Sequence, residues 1–278
     1  MSDLATLATE APDTIETTVN YVVNDGTEIF TYTGGPGSTD VRSGGTLDPH
    51  AMTVHNARPL LGRTSLDVEG FRFVRHDTRV ESFLDEAEIR HVYYPEMEQL
   101  VKAESGARRV VVFDHTLRTA DDAFREQHKI REVVRRAHND YTEWSGPKRL
   151  REILPDEADA LLEGRFAIVQ VWRPIRYPVE THPLAICDAR TVSPADFIIS
   201  ERRYPDRVGQ TYAIGYNPAH RWYWLPRMAR NEALVFKVYD LAKDGRARWS
   251  AHTAIDDPTS PANARPRESI EIRTLALF

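Results

Sequence analysis

The chain has 278 residues, of which 41% are hydrophobic and 28% are charged, and its net charge is −6. This composition is typical of a folded protein that buries a core without disulfide bonds, and Cys187, the single cysteine, excludes an internal disulfide. The acidic net charge argues against nucleic acid as a partner. The sequence contains no run of 18 apolar residues, so we expect no membrane span. We therefore expect a cytoplasmic monomer or homodimer in which Cys187 is a buried, small apolar residue.

The first 105 residues mix extended and helical patterns. Residues 1–16 are polar and predict a flexible leader without the basic and apolar stretches of a secretory signal. Residues 19–35 alternate around Asn24-Asp25-Gly26, which predicts a β-hairpin. In residues 79–104 the apolar spacing becomes helical, and Pro95 divides the segment into two predicted helices that pack outside a barrel. Two more short strands are predicted, at 52–56 and 70–76.

Strand patterns dominate the rest of the chain. A buried strand is predicted at 109–113, followed by two helices within 147–163, of which the second begins near Pro155 and ends at Gly164. Seven more strands are predicted, at 165–173, 183–189, 210–217, 220–225, 233–239, 248–254 and 269–277. Short strands behind N-terminal helices predict a mainly β protein with flanking helices, folded as a jelly roll. We expect one domain over 1–278, in which residues 17–105 shape the pocket and residues 106–278 form the jelly-roll core.

The motif His138-Asn139-Asp140 carries the first chemical signal. Side chains alternate along a strand, so His138 and Asp140 point to one face and can hold one metal ion. A histidine from another strand would complete a site of two histidines and one carboxylate, which leaves positions open and suits Fe(II), O2 and a bidentate co-substrate. The same motif also occurs by chance, as a strand end or a capping pair, and does not decide alone.

The C-terminal segment offers a third ligand and a carboxylate anchor. His252 lies on the penultimate predicted strand, and Arg267 begins the last one, which we expect to be its neighbour through a hairpin-like connection. Arg267 can bind a carboxylate with both arms of its guanidinium, and Ser269 adds a hydroxyl donor. The far carboxylate of 2-oxoglutarate needs such partners inside a barrel. We therefore interpret His138, Asp140 and His252 as iron ligands, and Arg267 with Ser269 as the co-substrate site.

Other polar and aromatic residues compete for roles in this site. His220 is the rival third ligand, and we prefer His252 because no arginine on a final strand follows His220 at short range. His220 is then a candidate for the substrate pocket, or a turn histidine that is bonded to backbone. Further candidates for the substrate pocket are His115, Arg118, Tyr141 and Trp222. Capping, surface salt bridges and core packing are the structural alternatives for such residues.

Several stretches from about residue 91 onward resemble the AsaB/CmcJ-like group of oxidoreductases, also called the GA4 desaturase group. Among them are VYYPEMEQLVKAESGARRVVVFDHTLR, ILPDEADALLEGRFAIVQVWRPI, YPDRVGQTYAIGYNPAHRWYWLPRM and RESIEIR. The resemblance implies a cupin-like double-stranded β-helix that uses Fe(II), 2-oxoglutarate and O2. It assigns metal ligation to His138, Asp140 and His252 and carboxylate binding to Arg267. The first ninety residues are the least typical of the group, so no substrate carries over.

The predicted activity is hydroxylation or desaturation of an unactivated carbon in a small-molecule substrate, such as a natural product. Two alternatives stay open from the residues alone. One is a metal-dependent hydrolase or isomerase on a cupin-like barrel, which would use the same triad as a Lewis-acid site. The other is a non-catalytic barrel that binds a ligand. Turnover of 2-oxoglutarate separates the first alternative from an oxygenase, and the absence of a stoichiometric Fe(II) site identifies the second.

Overall fold

The computed structural model describes residues 11–34 and 41–278, in which strands predominate. The strands before residue 140 are β1 (Thr14–Val22), β2 (Ile29–Thr33), β3 (Val41–Gly44), β4 (Leu47–Asn56), β5 (Phe71–Arg75), β6 (Arg109–Thr119), β7 (Arg131–Glu132) and β8 (His138–Asn139). The later strands are β9 (Phe166–Pro174), β10 (Leu184–Cys187), β11 (Phe197–Arg203), β12 (Val208–Ile214), β13 (Trp222–Trp224), β14 (Glu232–Asp240), β15 (His252–Ala254) and β16 (Glu268–Leu277).

Short helices flank these strands. They are α1 (Glu86–Glu88), α2 (Tyr94–Ser105), α3 (Asp122–His128), α4 (Ser145–Ile153) and α5 (Ala158–Glu163), and a π-helical turn, Ile89–Tyr93, joins α1 to α2. Shorter 3-10 turns lie at Arg58–Leu60, Ala189–Thr191 and Pro194–Asp196. Within the described ranges, none of the helices combines the length and the apolar character that crossing a membrane requires.

The strands form two sheets, which confirms the mainly β prediction. One sheet has ten strands in the order β1-β4-β13-β10-β15-β8-β12-β11-β2-β3, and the other has six in the order β5-β14-β9-β16-β6-β7. Apolar side chains from both sheets pack against each other in one cluster, which includes Ile186 of β10 and Phe236 of β14. The sheets thus face each other across a shared interior, as in a double-stranded β-helix.

The six-stranded sheet has an apolar outer face. Ile270 and Ile272 of β16 pack in one buried cluster with Met97 and Val101 of α2. Because side chains alternate along a strand, the residues between these isoleucines point to the opposite, inner face. The predicted position of the helical segment outside the barrel is therefore confirmed, and Pro95 lies in the first turn of α2.

Part of the inner face of the same sheet, along β6 and the first half of β16, is polar. Register places Ser269 of β16 beside Arg118 of β6, Glu271 beside Thr116, and Arg273 beside Asp114. On the other side of β16, Arg273 is the partner of Gln170 in β9. A polar face turned into the interior is unusual for a sheet that is covered on both sides, and it locates the functional residues.

Several local predictions were wrong. The hairpin over 19–35 does not form, because β1 pairs along its whole length with β4, while β2 pairs with β3 and β11. The predicted leader is only partly described: residues 1–10 lie outside the described ranges, and β1 begins at Thr14. The strand predicted at 109–113 continues to Thr119, and β11 was missed altogether.

The expected hairpin-like pairing of the last two strands was also wrong. β15 lies in the ten-stranded sheet and β16 in the six-stranded sheet, so they face each other across the interior. Cys187 is fully buried as predicted, and burial raises the pKa of its thiol to about 12. The thiol therefore stays protonated and acts as an apolar side chain.

A buried ion cluster stands away from this polar face. Lys237 is 1% exposed and its Nζ donates to Asp67 at 2.6 Å and to Asp240 at 2.8 Å. Asp240 is fully buried and also accepts from Arg165. Each charge in this cluster has a partner of opposite sign. Removing one member would leave a buried charge unpaired, which would destabilise the fold.

Candidate metal centre and adjoining cavity

Two histidines face each other on neighbouring strands of the ten-stranded sheet. His138 on β8 and His252 on β15 are direct partners in the antiparallel register, and their ring centroids are 4.3 Å apart. Asp140 follows just beyond β8, and its Oδ1 lies 3.5 Å from His138 Nε2. One potential ligand atom from each of the three residues lies within 4.8 Å of the other two. The predicted triad is therefore assembled in the structure, although β8 is only two residues long.

Both histidines are held in the form that a metal requires. His138 Nδ1 donates to the Arg136 carbonyl at 2.8 Å, and His252 Nδ1 donates to the Ser250 carbonyl at 3.0 Å. A backbone carbonyl can only accept, so each neutral ring carries its proton on Nδ1 and keeps the lone pair of Nε2 free. Burial lowers the pKa of both imidazoles, which keeps them neutral.

Asp140 is kept ionised by residues of the opposite sheet. Gln170 donates its side-chain N–H to Asp140 Oδ2, and Arg273 Nε lies 3.6 Å from the same oxygen. Burial alone would raise the pKa of this carboxyl, but the Arg273 guanidinium and the hydrogen bond from Gln170 hold it well below its usual range. Two neutral imidazoles and one carboxylate are a donor set that suits Fe(II).

Arg267 is a buried cation with an unused donor. It is 3% exposed, its Nη1 donates to the His182 carbonyl at 2.6 Å, and its Nε has no partner among the described residues. The hydroxyl of Ser269, on the same inner face of β16, is also buried without a partner in the described part of the chain. Burial, with repulsion from Arg118 and Arg135, lowers the pKa of Arg267 to about 9. An anion bound between Arg267 and Ser269 would accept hydrogen bonds from both unpartnered donors.

A cavity of about 260 Å³ opens beside Asp140. Asp140 and Arg273 form part of its wall, as do Arg118 and Tyr141, two of the predicted pocket residues. The described residues that line it all lie between Asp114 and Arg273, so a contribution from residues 17–105 stays a prediction. Arg267 and Ser269 do not line the cavity, which separates the two candidate binding regions.

Three other pocket candidates lie elsewhere. His115 points to the outer face of β6, where its Nδ1 contacts the Tyr94 hydroxyl at 2.8 Å and its Nε2 pairs with Glu86. It was assigned to the pocket because the strand was expected to end there, whereas β6 continues and alternation turns His115 outward. His115 does not line the cavity.

His220 and Trp222 are core residues of the ten-stranded sheet. His220 Nε2 bonds Asp196 at 3.0 Å, and Trp222, which is fully buried, donates its indole N–H to the Tyr21 hydroxyl at 2.7 Å. Neither lines the cavity beside Asp140, so a place for them in the substrate pocket stays a prediction. The partners of His220 are side chains, and they account for its burial without a metal.

Sequence reasoning missed the residues that support the triad. Gln170 and Arg273 contact Asp140, and Glu271 pairs with Arg273 and, at 3.5 Å, with Arg118. Alternation along RESIEIR was a usable signal for the two β16 residues, since it puts Glu271 and Arg273 on the face of Ser269. Nothing local marked Gln170, because its role depends on the pairing of β9 with β16.

Comparisons with known proteins agree with this geometry. A family model described as an oxidoreductase/YMDC permease-like domain matches residues 19–277. The hydroxylase/desaturase efuI of Hormonema carpetanum is 31% identical, over 98% of both proteins. The hydroxylase/desaturase asaB of Aspergillus flavus is 38% identical over 137 residues, which are 44% of this chain and 60% of that protein.

A solved structure shares the whole architecture. The iron and alpha-ketoglutarate-dependent endoperoxidase NvfI superposes with a TM-score of 0.85 at 29% sequence identity, covering 96% of this chain and 99% of that chain. The likeness therefore covers nearly the whole chain.

Proposed function

Because the chain belongs to the family of Fe(II)/2-oxoglutarate-dependent hydroxylases and desaturases, we propose that His138, Asp140 and His252 hold its iron. We further propose that Arg267 and Ser269 bind the far carboxylate of 2-oxoglutarate. The protein is a dioxygenase of natural-product metabolism that acts on a small molecule. The observation that carries the site assignment is the pairing of an assembled triad with two buried, unpartnered donors on the facing strand.

The residues fit both groups. The triad supplies the ligand types that Fe(II) prefers and leaves coordination positions for a chelating co-substrate and O2. Arg267 Nε and Ser269 Oγ are donors with no partner in the described part of the chain. A bidentate carboxylate is the ligand that a guanidinium fork matches best. When bound, iron and 2-oxoglutarate would activate O2 for the oxidation of an unactivated C–H bond.

The chain itself contributes positioning and protection. The Arg136 and Ser250 carbonyls fix the imidazole protons, and Gln170 with Arg273 fixes the Asp140 carboxylate. Phe236 packs edge-on against His252 at 4.9 Å between centroids, which keeps water from that side of the ring.

Substrate and co-substrate enter different regions in this proposal. Trp172 lies 5.4 Å from the guanidinium of Arg267 and forms an apolar floor under the co-substrate. The cavity beside Asp140 receives the substrate, with Arg118 and Tyr141 in its wall. Hydroxylation or desaturation then depends on which C–H bond this cavity presents.

The remaining expectations form part of the same proposal. We propose that the protein works in the cytoplasm as a monomer or homodimer, without nucleic acid or membrane as a partner. Its net charge of −6 supports the absence of nucleic acid and anionic membranes as partners, because like charges repel. We also propose a single catalytic domain over residues 1–278.

One experiment tests the function directly. Anaerobic addition of 2-oxoglutarate to the Fe(II)-loaded protein should produce a weak visible charge-transfer band, because chelation couples the metal to the keto acid. Oxygen with a suitable substrate should then yield succinate. A protein that binds iron but shows neither the band nor succinate would instead be a metal-dependent hydrolase or isomerase.

A further inference from the structure

The cavity beside Asp140 has an excess of positive charge. Among the described residues that line it, seven are Lys or Arg and three are Asp or Glu. All three carboxylates are engaged: Asp114 and Asp140 with Arg273, and Glu152 with Arg149. The cavity therefore contains cations that its own carboxylates do not neutralise.

Three of these cations form no ion pair within the described part of the chain. Arg131 and Arg207 are exposed at the rim, where water solvates their charge, and the guanidinium of Arg207 lies over the ring of Tyr204. Arg202 is different because its side chain is only partly exposed, and burial lowers the pKa of its guanidinium. Burying a cation without a counter-charge costs free energy. A bound anionic ligand would supply the missing counter-charge.

The local structure keeps Arg202 accessible from the cavity. Arg202 lies on β11, and its direct partner on β12 is Gly209. A Cβ at position 209 would lie 3.7 Å from the Cβ of Arg202, so the glycine leaves the side of Arg202 uncovered. Two residues earlier on the same face of β11, the hydroxyl of Ser200 is buried without a partner among the described residues.

The charges that surround Arg202 leave it unsatisfied. Arg118 and Arg273 repel it, and Asp140 is the attracting carboxylate of the cavity. Asp140 already faces Arg273 and belongs to the triad. Arg202 is therefore available to a ligand that brings its own negative charge.

We propose that the substrate of this oxygenase is an organic acid whose carboxylate binds Arg202. This inference rests on the proposed function, which places the substrate in the cavity beside Asp140. The substrate and 2-oxoglutarate, which are both acids, would then bind at separate sites, because Arg267 and Ser269 lie outside the cavity lining. A substrate held by its carboxylate on β11 would present its remaining carbon skeleton toward the triad. A wholly apolar substrate would have to strip water from these charges without replacing it.

Binding of a matched acid and amide tests the proposal. Protein loaded with Fe(II) and 2-oxoglutarate under anaerobic conditions is titrated calorimetrically with 2-naphthoate and with 2-naphthamide, which has a similar shape and no charge. We expect the acid to bind at least tenfold more tightly. Arg202→Gln should weaken binding of the acid by about thirty-fold and leave the amide unchanged, since removing one partner of a buried charge pair is strongly unfavourable. Arg202→Lys should retain part of the preference.

Arg207→Gln is the matched control, because it removes a cation from the exposed rim of the same cavity, where an ion pair contributes little. The acid should keep its preference in this variant. Equal binding of acid and amide by the wild type, or unchanged acid binding by Arg202→Gln, would overturn the proposal. Tighter binding of 2-naphthyl phosphate than of 2-naphthoate would overturn the choice of a carboxylate.

The charge-transfer band separates this proposal from the proposed function. It should persist in Arg202→Gln, because this residue does not bind 2-oxoglutarate. Loss of the band in Arg202→Gln would reassign Arg202 to the co-substrate and overturn the proposal. A wild type without the band would refute the oxygenase function, while a carboxylate preference that depends on Arg202 would still be measurable.

Discussion

His138 and His252 stand opposite each other on adjacent antiparallel strands, and each ring donates its Nδ1 proton to the backbone carbonyl two residues before it. Register thus fixes the distance between the rings, and the backbone fixes their tautomers. Metal affinity should therefore depend on both histidines and on Asp140, which follows β8.

Replacing a proposed ligand should remove the iron without unfolding the protein. His252→Ala is expected to weaken Fe(II) binding by more than the roughly 10–100-fold that is typical of losing a residue that only supports a ligand. Iron is quantified after anaerobic loading, with circular dichroism as a check of folding. His220→Ala is the control and should keep its iron. Full occupancy in His252→Ala together with loss in His220→Ala would show that the third ligand was misassigned.

The carboxylate anchor should affect the co-substrate and not the metal. Arg267→Ala leaves the far carboxylate of 2-oxoglutarate without its buried partner, which typically costs about 2–5 kcal/mol, so the 2-oxoglutarate requirement should rise about thirty-fold or more. Arg267→Lys should recover only part of the loss, since an ammonium cannot make the planar two-point contact. Titration of the charge-transfer band measures both variants.

Arg265 provides the comparison for this anchor. It is exposed, and its guanidinium lies 4.3 Å from the ring centroid of Tyr177. Arg265→Ala should therefore change the 2-oxoglutarate requirement little. A large effect in Arg265→Ala or Arg273→Ala, with none in Arg267→Ala, would move the anchor to another residue and leave the triad intact.

The amide of Gln170 should tune the metal through Asp140. Gln170→Leu removes the N–H that Asp140 Oδ2 accepts, and Fe(II) affinity should fall about 10–100-fold. The 2-oxoglutarate requirement at saturating iron should stay the same. Gln210→Leu changes an amide in the cavity wall that contacts Thr142, and it should leave iron affinity unchanged. Equal iron affinity in both variants would argue against this role of Gln170.

The ion pairs of the buried cluster should contribute to the free energy of unfolding. Lys237→Met removes the buried one of the two cations that pair with Asp240, so the free energy of unfolding should fall by about 3–5 kcal/mol. Denaturant unfolding monitored by circular dichroism measures the change. Arg109→Met breaks an exposed ion pair with Glu157 and should change stability by less than about 1 kcal/mol. Similar losses in the two variants would mean that Lys237 does not stabilise Asp240 as proposed.

The sequence predicted the triad because its signals are local or close to local. His138 and Asp140 are two residues apart, His252 lies on a strand, and Arg267 immediately precedes the last strand. The fold class also followed from the density of short strands. These inferences needed only the period of each segment and the chemistry of its side chains.

What failed depended on which strands pair. The turn at Gly26 is real, with a positive φ of 82°, but the strands on either side of it join opposite parts of the ten-stranded sheet. The outward direction of His115 could not be read from the sequence, because the full length of β6 was unknown. The missed residue Gln170 acts across the gap between two sheets, which no local pattern encodes.

The β11–β12 hairpin separates the choice of substrate from the chemistry. It carries Arg202 and Gly209, whereas the proposed iron ligands and the co-substrate anchor come from other strands. Only the edge of β12 that pairs with β8 is tied to the metal. Substitutions on the cavity side of this hairpin can therefore change which substrate binds, while the iron ligands and the co-substrate anchor stay the same.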